Sequence, residues 1–258
     1  MATTGPGVRR VVLLGASNLT LGLPTVLASA RSRLGPGPLE VLVAAGHGRS
    51  YGRWSRVGFR GLPAIRDCGL WAAAGGATGA VTHALVTDIG NDLAYGASAA
   101  ELAGWVGACV ERLEAMGAQI VLTLLPSGTL ARLAPWRYHL FKAVLFPGRR
   151  LPLRVLRERV ADVNERLAAL GPRVRLVEPE AAWYGPDTIH IRRSRRAAAW
   201  TTVLSPWNAA PDCAAPGGGA PRVSLPGLAP ELRTILGITR RRAQPSRALA
   251  DGTTISLF

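Results

Sequence analysis

A serine hydroxyl is a poor nucleophile until a base takes its proton, and the base must be held in the right tautomer by a third group. Four separated stretches of this 258-residue chain offer such parts. The apolar run Val11 to Leu14 is followed by Gly15-Ala16-Ser17-Asn18, so Ser17 stands just past the end of a strand. Asp187 and His190, three residues apart, can face each other: the carboxylate reaches one ring nitrogen and leaves the other for the Ser17 hydroxyl. An acyl carbon attacked by Ser17 also needs donors for its oxyanion. The Ser17 and Gly48 backbone N–H groups and the Asn91 side-chain amide are the candidates, each worth roughly 3 to 4 kcal/mol. Gly46 rivals Gly48, because the loop Gly46-His47-Gly48 does not fix its own register; Gly48 is preferred.

These parts act together only if the fold brings them to one place. Apolar, β-branched runs at Val11–Leu14, Leu39–Ala45, Val81–Thr87, Ile120–Leu125 and Arg173–Val177 alternate with segments of helical spacing. Residues 20 to 33 form the first helix, with Pro24 near its first turn. Ser98 with Glu101 makes a capping box for a helix running to Met116. Residues 63 to 73, 158 to 170 and 192 to 204 read as further helices. The alternation predicts an α/β three-layer sandwich: a five-stranded parallel sheet of flavodoxin-like order 2-1-3-4-5 with helices on both faces. Parallel strands put all their carboxyl ends on one edge, where ligands bind in such sheets. Ser17, Gly48, Asn91 and the Asp187/His190 pair each follow a different strand end, so they converge there.

The blocks Gly15-Ala16-Ser17-Asn18, Gly48, Gly90-Asn91-Asp92 and Asp187-x-x-His190, in that order over roughly residues 8 to 204, resemble those of the SGNH/GDSL-type hydrolases. That family is named for a serine, a glycine, an asparagine and a histidine. It includes lipases, thioesterases and carbohydrate deacetylases. The resemblance implies a cofactor-free ester or thioester hydrolase working through an acyl-enzyme. The chain departs from the family pattern twice: Ala16 stands where an aspartate usually precedes the serine, and Ile89 where the third block usually has its first glycine.

A second serine pattern, Gly48-Arg49-Ser50-Tyr51-Gly52, matches the nucleophile elbow of α/β-hydrolases. The elbow leads into a helix, whereas the residues after Ser50 are rich in Arg and Gly. His47 and Ser127 flank the predicted crevice and are candidate substrate contacts. His83, within an apolar strand, reads as a satisfied core residue. His139 has no partner at metal-ligand spacing, and no His/Cys/Asp cluster suggests a metal.

The about 30 residues after the fourth strand, roughly 127 to 157, exceed what a minimal sheet needs. Leu133, Trp136, Leu140 and Val144 recur at helical spacing with Phe141, Leu145 and Phe146 beside them. Arginines and Lys142, the only lysine, surround the face. Such a basic amphipathic helix reads as an interfacial segment or a cover for an acyl chain, with Trp136 a candidate substrate contact. Residues 205 to 229 are dominated by Pro, Ala and Gly and read as a flexible linker. Residues 230 to 258 form a basic tail that either packs on the body or meets a partner.

With 31 Lys and Arg against 16 Asp and Glu the net charge is +15, which attracts anionic surfaces. A second reading is therefore a basic protein for anionic membrane or nucleic acid, with a vestigial site, although no nucleic-acid module is present. The acyl-hydrolase reading takes a small-molecule ester or acyl lipid as substrate, with peripheral contact to anionic membrane. The oligomeric state is left open. No run reaches the roughly 20 apolar residues of a membrane span. The apolar run after Arg9-Arg10 is too short for a signal peptide, and the three cysteines are odd in number. These features point to an intracellular, cytoplasmic protein.

Overall fold

The computed structural model describes residues 9–75, 80–145, 151–207 and 227–258. In chain order the first half comprises β1 (Arg9–Leu14), α1 (Ser17–Leu34), β2 (Leu39–Ala44), β3 (Ser55–Val57), β4 (Arg60–Leu62), α2 (Leu70–Gly75), β5 (Val81–Val86), α3 (Asn91–Ala94) and α4 (Ala99–Ala115). The second half comprises β6 (Gln119–Thr123), α5 (Ser127–Ala131), α6 (Pro135–Leu145), α7 (Leu153–Ala168), β7 (Val174–Val177), α8 (Arg196–Val203), β8 (Leu232–Ile235), β9 (Ile238–Arg241), β10 (Arg247–Ala248) and β11 (Thr254–Leu257).

The central sheet runs β10-β11-β2-β1-β5-β6-β7. Its middle, β2-β1-β5-β6-β7, is parallel throughout and has the 2-1-3-4-5 order that the alternation predicts. Among the described residues the sheet has seven strands rather than five, because the C-terminal segment returns to add β11 parallel to β2 and β10 antiparallel to β11. The missing two are physically intelligible: short strands beyond a Pro/Gly-rich stretch give a weak local signal, and their pairing with β2 is non-local. Residues 208–226 of the predicted linker lie outside the described residues.

Strand alternation sends Val12, Leu14, Ala84 and Val86 to the side covered by α4 and α7. Val11, Leu13, Val41 and Val43 go to the side covered by α1 and α8. Both faces are therefore apolar, as a buried parallel sheet requires. On the second face α1 and α8 approach closely at Gly22, where a Cβ would lie 2.2 Å from Trp200 Nε1. Pro24 sits inside α1 rather than in its first turn, where it removes one intrahelical bond. The capping box of α4 forms as predicted: Glu101 N–H donates to Ser98 Oγ at 3.2 Å, and Ser98 N–H donates to Glu101 Oε2 at 2.8 Å.

Leu14 is level with Ala44 on one side and Val86 on the other, so three strand tips end together. Gly15 lets the chain turn there, since a Cβ at that position would meet Thr87 Cγ2 at 2.8 Å. Beside this edge stands a second, antiparallel sheet, β3-β4-β8-β9, which joins the glycine-rich loop to the C-terminal segment. Among the described residues no helix is long and apolar enough to cross a membrane.

Candidate active site

Ser17 is the first residue of α1 and is buried. Its helix has no cap of its own, because Ala16 carries no polar side chain and the first turn has no acid. Asp88, in the turn after β5, supplies the cap from another segment. Its Oδ2 accepts from Ala16 N–H at 3.1 Å and from Leu19 N–H at 2.9 Å, and its Oδ1 accepts from Asn18 Nδ2 at 2.8 Å. Burial pushes the Asp88 carboxyl above the ordinary range, and these donors pull against that rise. The turn holds Asp88 at φ +56°, a left-handed conformation that aims the carboxylate at the helix. The acid absent at position 16 is thus matched by one 72 residues later in the chain.

Asn18 links the serine segment to the histidine segment. Its Nδ2 also donates to Ile189 O at 2.9 Å, and its Oδ1 accepts from Ile191 N–H at 2.7 Å. One side chain therefore grips the backbone on both sides of His190. Asp187 and His190 meet directly, with Oδ2 2.6 Å from Nδ1. The other carboxylate oxygen accepts from the Ile189 and His190 N–H groups, each at 3.1 Å. Burial alone would raise the Asp187 pKa, but the hydrogen bonds from His190 and the two N–H groups outweigh it and leave it lowered. The Asp187 hydrogen bond holds His190 above the usual histidine value, against partial burial. The pair leaves Nε2 as the ring nitrogen free to exchange a proton.

Gly48 has φ +63°, and a Cβ there would lie 2.4 Å from Val57 Cγ2 and 2.8 Å from the Tyr95 hydroxyl. Gly46 lacks the left-handed backbone but is equally crowded, by Leu62. Asn91 opens α3 and donates from Nδ2 to Arg49 O at 3.1 Å, which ties it to the Gly48 loop. His47 is exposed at the rim; partial burial lowers its pKa, helped by the charges of Arg60 and His190, so the two histidines stand within electrostatic reach.

A cavity of about 170 Å³ opens at this edge, and Ser17, Asp88, Asn91 and Asp187 line it. Its far wall is apolar and comes largely from the insertion: Leu130, Leu133, Tyr138, Leu151 and Leu156. The wall is fixed in place. Arg157 donates to the carbonyls of Leu130, Ala131 and Leu133 at 3.0 to 3.1 Å, and the Tyr138 hydroxyl donates to Leu151 O.

Several expected contacts fall elsewhere. Trp136 does not line the cavity; it is 65% exposed with the Arg137 guanidinium over its ring, because residue 138, two positions on and about 200° around the helix, takes the inward place. Ser127 is also outside the cavity and donates to Glu178 at 3.3 Å. Phe141, Val144, Leu145 and Phe146 have side chains outside the described residues. His83 is buried against Trp207, but among the described residues its Nδ1 has no partner, so it is packed there without being satisfied. Ser50 is fully buried and donates to Asp92, a carboxylate that also accepts from Tyr51 N–H at 2.9 Å. This is a structural bond in the core. Among the described residues no group of three His, Cys, Asp or Glu could hold a metal ion.

No family model and no curated relative matches the chain. Among solved structures it is similar to a carbohydrate acetylesterase from Sinorhizobium meliloti, at 14% identity and a TM-score of 0.53, over 76% of this chain and 97% of that one. It is also similar to the aryl esterase of M. smegmatis, at 13% identity and a TM-score of 0.50, over 77% and 97%. At such identities the likeness is one of fold. The chain shares the fold of these two esterases, an α/β sandwich of the kind that the resemblance to SGNH/GDSL-type hydrolases implies.

Proposed function

We propose that this chain is a serine-dependent ester or thioester hydrolase. Ser17 Oγ attacks the acyl carbon while His190 Nε2 takes its proton. The Ser17 and Gly48 N–H groups and the Asn91 amide hold the oxyanion. The alcohol or thiol leaves with the proton from His190. Water, activated by the same imidazole, then releases the acid and restores Ser17. The observation that carries this reading is the bonded Asp187–His190 pair, held on both flanks by the side chain of the residue next to Ser17. The position of Ser17 at a helix N-terminus adds a favourable field for negative charge. The esterase names of the two structural neighbours agree with the reaction class.

The substrate is an ester with an apolar acyl group, such as an acyl lipid. A dry engineered cavity of about 150 Å³ accepts a benzene ring, so the 170 Å³ here takes about six acyl carbons. The insertion acts as the wall of this chamber.

The test is a series of p-nitrophenyl esters from acetate to dodecanoate on wild type and Ser17→Ala. Expected are loss of turnover in Ser17→Ala and a wild-type kcat/KM that climbs to about six carbons and then levels. Equal turnover in Ser17→Ala overturns the proposal.

A further inference from the structure

The small antiparallel sheet carries a surface that hydrolysis does not use. Its register places Val57, Arg60, Ile235 and Ile238 in one cross-strand row, because each is paired with the next. At the end of this row two hairpin tips project side by side, joined by the Leu236 N–H donating to Phe59 O at 3.0 Å. The tips are bare of cover: Phe59 is 76% exposed, Leu236 69% and Ile238 62%. Large apolar side chains this exposed and this close together mark a contact surface.

Cations surround the tips. Arg56, Arg240, Arg241 and Arg242 are exposed, and Arg233 sits directly opposite Arg240 across the β8–β9 pair. Like charges placed opposite each other cost stability. Acids do not offset them: residues 53 to 62 and 232 to 250 contain no Asp or Glu. Among the described residues, none of Arg56, Arg60, Arg233, Arg240, Arg241 or Arg242 forms an ion pair. The face also adjoins the candidate site, since Val57 borders Gly48 and Arg60 acts on His47.

We propose that this sheet docks the protein on an anionic phospholipid bilayer. Phe59, Leu236 and Ile238 enter the boundary between headgroups and acyl chains, and the arginines pair with headgroup phosphates. Both halves of the surface are then used. A second copy of this chain would bring the same positive charge to the same face. Nucleic acid would satisfy the arginines and leave Leu236 and Ile238 in water. Docking here sets the site mouth beside the membrane, and it stands whether or not the site hydrolyses esters.

The experiment is co-sedimentation of the full chain with phosphatidylcholine vesicles and with vesicles containing about two-fifths phosphatidylglycerol. Wild type is expected to bind the anionic vesicles, more weakly as salt rises, and to leave the neutral ones in solution. Phe59→Ser with Leu236→Ser should bind the anionic vesicles about tenfold more weakly or worse, with an unchanged melting temperature and unchanged turnover of p-nitrophenyl butyrate. Arg240→Gln with Arg241→Gln should weaken binding severalfold by a separate route. As a control, Trp136→Ser with Leu140→Ser on α6 should retain binding within about twofold. Absence of sedimentation with anionic vesicles would overturn the proposal. So would wild-type binding by the Phe59/Leu236 variant, loss of binding only in the α6 variant, or tighter binding to duplex DNA that the Phe59/Leu236 variant keeps.

Discussion

Replacing Asn18 by alanine should separate the two halves of the candidate site without touching either reacting group. The wild-type side chain makes three hydrogen bonds, to Asp88 at 2.8 Å, to Ile189 O at 2.9 Å and from Ile191 N–H at 2.7 Å. Neutral hydrogen bonds each contribute about 1 kcal/mol net, and one to a carboxylate contributes somewhat more. Asn18→Ala should therefore lower the unfolding free energy by about 3 kcal/mol, read from urea denaturation. The rate should suffer for a different reason. With residues 189 and 191 no longer gripped, the imidazole drifts relative to the Ser17 hydroxyl, and a displacement of about 1 Å costs on the order of a hundredfold. Steady-state kinetics on p-nitrophenyl butyrate should show that loss in kcat, with KM within about threefold, since the apolar wall of the cavity is untouched. Asn18→Ala with near-normal kcat and an unchanged urea midpoint would refute the clamp.

Three other substitutions test neighbouring parts. In Asp187→Asn the base loses its orienting carboxylate, so kcat should fall by about 10⁴. The residual activity should titrate at lower pH than wild type, whose acid limb lies above the ordinary histidine value because His190 must be neutral to act. The same pair has a stability signature in urea midpoints. The Asp187 contribution is present above the unfolded carboxylate pKa and fades as pH falls through its lowered folded value. The His190 contribution is full below the unfolded histidine pKa and fades as pH rises through its raised folded value. Ser50→Ala should keep ester turnover and lose about 1 to 2 kcal/mol in urea denaturation, because Asp92 is left buried with one donor fewer. Gly48→Ala should cost about 1 to 2 kcal/mol from its left-handed backbone and lower kcat more than KM, as its N–H moves off the oxyanion.

The reach of sequence reasoning here follows from which signals are local. Val11 to Leu14 and Val81 to Val86 announce buried strands by composition alone. Once strands alternate with helices, the rules of parallel sheets bring Ser17, Asn91 and Asp187 to one edge. The Ser98–Glu101 box is local too, and it forms. The roles of Asp88 and Asn18 are not legible locally, because they exist only across 69 residues or more of chain. A signal was nevertheless there: with Ala16 in place of an acid, the uncapped helix had to find a carboxylate elsewhere, and Asp88 precedes the Asn91 block. The strands β3, β4, β8 and β9 are three or four residues long and rich in arginine, which hides them from any hydrophobic pattern. Trp136 shows the limit of periodicity, which places residues on a helix face without saying which face meets the body.

The most direct measurement is covalent labelling of the folded full chain with a fluorophosphonate, followed by peptide mass spectrometry. A serine activated as described should give a single adduct on the peptide holding Ser17, absent in Ser17→Ala, retained in Ser50→Ala and greatly slowed in His190→Ala. An adduct on Ser50, or none at all on protein shown to be folded, would contradict it.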